Sequence, residues 1–223
     1  MSGHPVERAL LLVRHGRTAA NASGLLLGRA DPPLDERGRR DAHAIGAAIA
    51  SGRYGPIAAV VTSPLLRTRE TGDHIRAALD TEPATTVTGP DLPRVDGVDE
   101  RLIELDYGEL DGVALRDVDP ALWARWRADP AYAPPGGESL LDLGVRVRDA
   151  CRDWSAASEL PAGTIVLVSH VSPIKAAIAW ALGVGDEIAW RMHLDTASIS
   201  RIADRQGTPS LTSFNDTGHL SGD

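Results

Sequence analysis

The sequence predicts an α/β fold: a single-domain, three-layer mixed sheet with a parallel core flanked by helices. Three observations point there. Segments beginning at Ala9 (ALLLVRHGRT), Ile57 (IAAVVTSPLLRTRET) and Thr164 (TIVLVSHVSPIKAA) share one grammar: a short apolar run, a few polar residues, then a helix-compatible stretch. Continuous apolar runs of that length suit parallel strands covered on both faces. Two further stretches, ERGRRDAHAIGAAIASG and ESLLDLGVRVRDACRDWSAASE, have helical character and are closed or flanked by Gly or Pro. Finally, no Ser/Gly- or Pro-rich linker divides the periodic segments. The 223 residues, 43% hydrophobic, therefore read as one domain over 1–223, with short flexible tails at 1–7 and 216–223.

Taken in order, the first strand leads into the helix of ERGRRDAHAIGAAIASG. The second strand leads to Ser63-Pro64, read as an N-cap serine followed by proline at the first helical position. From Thr81 to Glu109 the chain is rich in Pro, Gly and Asp and reads as an excursion over the sheet. APPGGES, Ala133–Ser139, reads as a loop entering a helix. After the third strand, Ser172-Pro173 repeats the cap-and-proline pattern. TASISRIA and SLTSFN then read as two strands joined by the DRQG turn.

A net charge of −8 argues against a nucleic-acid surface, which needs a basic stripe. The longest apolar runs are far short of a membrane span. The N-terminus lacks the pattern of a secretory signal, and the single Cys151 forms no internal disulfide, so a cytoplasmic location is expected. Two copies could pair as a homodimer, which the sequence neither demands nor forbids.

In open α/β sheets, ligands sit beyond the carboxyl ends of the parallel strands. That rule gathers Arg14 and His15 after the first strand, Arg67 just inside the second unit's helix, and His170 after the third. Two arginines and two histidines suit phosphoryl transfer, which asks mainly for positioning and charge stabilisation. Arginine donates bidentate hydrogen bonds to phosphate and keeps its charge. A neutral imidazole can attack phosphorus, and His15 followed by Gly16 is the candidate. His170 would then stabilise the transferring oxygens. A leaving alkoxide needs a proton, and Glu104 in RLIELDYGELDG is the chosen donor. An acidic to neutral pH optimum follows if Glu104 is protonated while His15 is neutral. His15 reads as surface-proximal, so its replacement should leave the fold intact.

These residues amount to a resemblance. RHGRTAAN (Arg14–Asn21), SPLLRTRET (Ser63–Thr71), ELDYGELDG (Glu104–Gly112) and VSHVSP (Val168–Pro173) resemble the four ordered signatures of the histidine phosphatase superfamily, also called phosphoglycerate mutase-like. The resemblance implies that His15 is phosphorylated, that Arg14, Arg67 and His170 form the phosphate pocket, and that Glu104 donates the proton. It also places Arg17, Asn21 and Val171 at the substrate, and implies no metal and no organic cofactor.

Val171 stands where members often carry glycine, and the SHVSPIK form is most similar to the branch of α-ribazole phosphatases and broad phosphatases. Leu105, not arginine, follows Glu104, which departs from the cofactor-dependent mutases. The expected activity is hydrolysis of a small phosphorylated metabolite. The alternatives are a bisphosphoglycerate-dependent mutase and a silent anion-binding protein. Other fates stay open for single residues: Arg67 could pair with Glu70 or Asp73, and Trp123 and Trp126 could wall a substrate pocket or simply pack.

Overall fold

The computed structural model describes residues 8–81, 94–205 and 207–220. Strands β1 (Ala9–Arg14), β2 (Ile57–Thr62), β3 (Val95–Val98) and β4 (Thr164–Ser169) are parallel, and β5 (Ile199–Arg205) and β6 (Thr208–Asp216) extend the sheet antiparallel. The order is β3-β2-β4-β1-β5-β6, so β4 lies between β1 and β2. The three apolar runs are therefore neighbours in the middle of the sheet.

Each run is buried on both faces because alternate residues feed different cores. Leu10, Leu12, Ile165 and Leu167 point into one cluster, and Leu11, Val13, Val166 and Val168 into the other. Helices α2 (Glu36–Ala50) and α3 (Leu66–Thr81) cover the second. Helices α4 (Pro120–Ala128), α5 (Leu140–Ala156) and α6 (Val171–Leu182) contribute to the first. A one-turn helix, α1 (Ala19–Ala22), sits in the loop after β1.

The expected excursion from Thr81 to Glu109 contains a strand that apolar patterning did not show. β3 (VDGV) is a mostly exposed edge strand with an acidic residue and a glycine, held by backbone pairing to β2. Residues 82–93 of that stretch lie outside the described residues. At the carboxyl end the packed chain runs past 216, where a flexible tail was expected. Gly218–Leu220 forms a 3₁₀ turn, the His219 Nε2–H donates to the Ala197 carbonyl at 2.9 Å, and Leu220 packs on the second core. Residues 1–7 and 221–223 lie outside the described residues.

Both expected serine caps are replaced by other arrangements. Helix α3 begins at Leu66, and the Ser63 hydroxyl meets His170 Nε2 at 2.7 Å while accepting only a long 3.4 Å bond from Leu65 N. The N-cap of α6 is His170, with Ser172 and Pro173 inside the first turn, where proline's missing N–H is tolerated. No helix among the described residues is long and apolar enough to cross a membrane.

Candidate active site

His15 is anchored at the carboxyl end of β1 by its own backbone. Its N–H donates to Ser169 O at 3.1 Å, and its carbonyl accepts from Ala197 N at 3.0 Å. Gly16 follows because no larger residue fits: a Cβ there would lie 2.3 Å from Gly38 O in the first turn of α2. The Gly16 N–H donates to Thr71 Oγ1 at 3.1 Å, tying the loop to α3. This contact explains part of the SPLLRTRET segment that charge arguments left unassigned.

The His15 ring is set for one task. Nδ1 lies 2.7 Å from Gly16 O, and a carbonyl only accepts, so Nδ1 carries the proton. The Nε2 lone pair is left for an electrophile. His15 is 3% exposed rather than surface-proximal. Burial, followed by the nearby Arg67 and Arg14 guanidiniums, pushes its pKa well below the usual 6.5.

His170 is also buried, and its ring centre lies 5.1 Å from that of His15. Arg67 Nε donates to its Nδ1 at 3.2 Å, which assigns the His170 proton to Nε2, facing Ser63 Oγ. Its pKa is also held well below 6.5, by burial and then by Arg67, His15 and Arg14.

Arg67 is fully buried and forms no surface pair with Glu70 or Asp73. Beyond His170, its Nη1 and Nη2 donate to Ala30 O and Gly28 O, both at 2.8 Å. Three of its five N–H groups are thus spent, and Asp31 Oδ1 lies 4.0 Å from Nη1. Arg14 Nη1 donates to Leu194 O at 2.6 Å, and burial lowers its pKa to about 10, leaving it charged at neutral pH.

Glu104, 3% exposed, turns its carboxylate onto the first turn of α6. Oε1 accepts from Leu105 N at 2.8 Å and Ser172 N at 3.2 Å, and Oε2 accepts from Val171 N at 3.1 Å. The carboxylate thus serves as the side-chain cap that α6 otherwise lacks, at the end of the helix that favours negative charge. Arg146 holds the Glu104 loop from behind. It donates to the carbonyls of Arg101, Ile103 and Glu104 while paired with Glu138.

A cavity of about 310 Å³ opens on Arg14, His15, Asn21, Glu104 and Val171 together. Arg67 and His170 stand behind His15 and are not on its lining. Asn21 spends Oδ1 on Thr18 in a capping box and lines the cavity. Arg17, expected at the pocket, does not line it. Its Nε pairs with Asp35 Oδ2 at 2.8 Å, toward the cap of α2. Sequence reasoning gave no role to Tyr107 and Lys175, although they lie in the ELDYGELDG and SHVSPIK segments, nor to Trp190, which lies in no motif, and all three line the cavity.

The two neutral histidines make stability depend on pH. In the folded chain they resist protonation, whereas unfolded histidines bind protons below about pH 6.5. The unfolded state then holds more protons, so stability is complete above about pH 6.5 and falls as pH drops below it. Thermal unfolding between pH 7 and pH 5 should show this decline, and His15→Ala should flatten it. An unchanged midpoint would contradict the assignment.

Comparison with known proteins identifies the family and the fold. The model of the histidine phosphatase superfamily (branch 1) matches residues 10–217. The chain is similar to the bifunctional protein Rv2228c of Mycobacterium tuberculosis, 38% identical over 216 residues, which cover 95% of this chain and 54% of that protein. It thus spans about half the length of that relative. It is also similar to a 2,3-bisphosphoglycerate-dependent phosphoglycerate mutase of Brucella anthropi, 32% identical over 86% of this chain and 89% of the mutase. Among solved structures, a mycobacterial glucosyl-3-phosphoglycerate phosphatase complexed with VO3 superposes with a TM-score of 0.79 at 25% identity, covering 94% of this chain and 100% of that one. The chain belongs to branch 1 of the histidine phosphatase superfamily.

Proposed function

We propose that this chain is a metal-independent phosphomonoesterase that hydrolyses a small phosphorylated metabolite through a phosphohistidine on His15. The observation that carries the reading is the His15 tautomer: Nδ1–H is spent on Gly16 O, and Nε2 keeps its lone pair in a cavity shared with Arg14 and Glu104.

The steps balance as follows. Nε2 attacks phosphorus, the bond from phosphorus to the ester oxygen breaks, and Glu104 gives its proton to the leaving alkoxide. Water then attacks the phosphohistidine, the P–N bond breaks, and the Glu104 carboxylate takes the water's proton. Arg14, on the cavity lining, holds the equatorial oxygens, where charge develops, and the buried charge of Arg67 behind His15 adds to the cationic field. His170 has both ring nitrogens engaged, so it acts here by positioning Arg67. The lowered His15 pKa keeps the nucleophile neutral into the acidic range, which supports an acidic to neutral optimum.

A mutase needs a second anion site in the same cavity, and among the described residues the arginine and lysine side chains on its lining are Arg14 and Lys175. Leu105, after Glu104, is buried in the core rather than offering a charge. These features favour hydrolysis. Incubation with simple phosphate esters in the presence of a chelator should release inorganic phosphate. A folded preparation that releases none would overturn the proposal. A cytoplasmic site of action belongs to the same reading.

A further inference from the structure

The chain is poor in aromatics, with five tryptophans, three tyrosines and one phenylalanine. Four of those nine, Trp123, Trp126, Trp190 and Tyr107, line the cavity that opens on His15. Trp123 stacks on Trp126 with ring centres 5.5 Å apart and planes 20° from parallel. Trp190 stands edge-on to both at 5.7 Å, and Tyr107 meets Trp126 edge-on at 5.7 Å. The wall is assembled from α4, the loop that carries Glu104, and the 3₁₀ turn Asp186–Arg191.

Trp126 is fully buried, while Trp123, Trp190 and Tyr107 pack against the same core from the cavity side. Trp126 is also the sole buried residue of α4, so that helix serves chiefly to mount the stack. Trp123 and Trp190 keep part of their surface open. Leu26, Leu115 and Ala189 continue the apolar lining. Polar groups against such a surface lose hydration without regaining partners, whereas a flat ring gains stacking and apolar burial.

We propose that this wall is the leaving-group subsite, and that the preferred substrate is a phosphate monoester whose alcohol carries a flat aromatic ring. The inference rests on the phosphatase reading above. The competing class is an ester with a carboxylate, held by Lys175, whose ammonium has no carboxylate partner among the described residues.

The test compares kcat/KM for naphthylmethyl phosphate with that for glycerol phosphate, phosphoserine and 3-phosphoglycerate. All four are alkyl esters, so intrinsic leaving-group differences are small and the ratio reports the wall. A preference for the naphthylmethyl ester of ~10-fold or more is expected, and Trp123→Ala should narrow that ratio ~10-fold while Trp123→Phe keeps most of it. Equal or greater efficiency with the other esters, or a ratio unmoved by Trp123→Ala, would overturn the proposal. Should no ester be hydrolysed, the phosphatase reading fails while the subsite is still tested by calorimetry on His15→Ala. Tighter binding of naphthylmethyl phosphate than glycerol phosphate, with a more negative heat-capacity change, supports the wall, and equal binding refutes it.

Discussion

Replacing His15 by alanine is expected to lower kcat by ~10⁴-fold or more while the protein stays folded. The size of the loss follows from the route. Without Nε2 there is no covalent intermediate, and the remaining groups can only orient water. His15 is buried, so its replacement also acts on stability. Its imidazole is held neutral between two guanidiniums at the end of a central strand. Removing it leaves a small cavity, yet it also removes a polar group that burial disfavours, and these effects oppose one another. Its backbone bonds to Ser169 and Ala197 survive the substitution. Steady-state rates and thermal unfolding on the same preparation check both halves. Turnover within tenfold of the parent would place the nucleophile elsewhere.

Replacing Glu104 by glutamine should lower kcat/KM for alkyl esters by ~10²- to 10⁴-fold. The loss should shrink for 4-nitrophenyl phosphate, whose leaving group departs without a proton. This dependence separates proton donation from a merely structural part, since Glu104 also caps α6. An amide retains one oxygen acceptor but turns its NH₂ toward a backbone N–H, so one cap bond is lost, at about 1 kcal/mol. If kcat/KM fell by the same factor for all esters, Glu104 would be a cap and not the acid.

The sheet and the gathering of Arg14, His15, Arg67 and His170 at its edge are legible in the sequence because both rest on strong, local physics. Continuous apolar runs such as ALLLV and TIVLV can only be satisfied between two helical layers, and parallel strands bring their carboxyl ends to one edge. Arg14, His15 and His170 fall there by topology alone, and Arg67 follows from the first turn of the next helix. Less visible were arrangements decided by tertiary competition. Ser63 has the sequence of a cap, but the His170 ring claims its hydroxyl. Glu104, remote in sequence, caps α6 in place of Ser172. The resemblance places Arg17 at the substrate, whereas its Nε pairs with Asp35. Strand β3 escaped notice because an exposed edge can carry Asp and Gly, and its stability comes from pairing rather than burial. The aromatic wall was half visible: Trp123 and Trp126 sit one turn apart, but nothing in the chain announces that Trp190 joins them.

Rapid acid-free quenching during turnover of a ³²P-labelled ester, followed by peptide mapping, tests the account at its centre. Label that is stable to base, labile to acid and carried by the peptide containing His15 is the predicted result. Label on another residue, or steady turnover with none accumulating even when the second step is slowed, would contradict it.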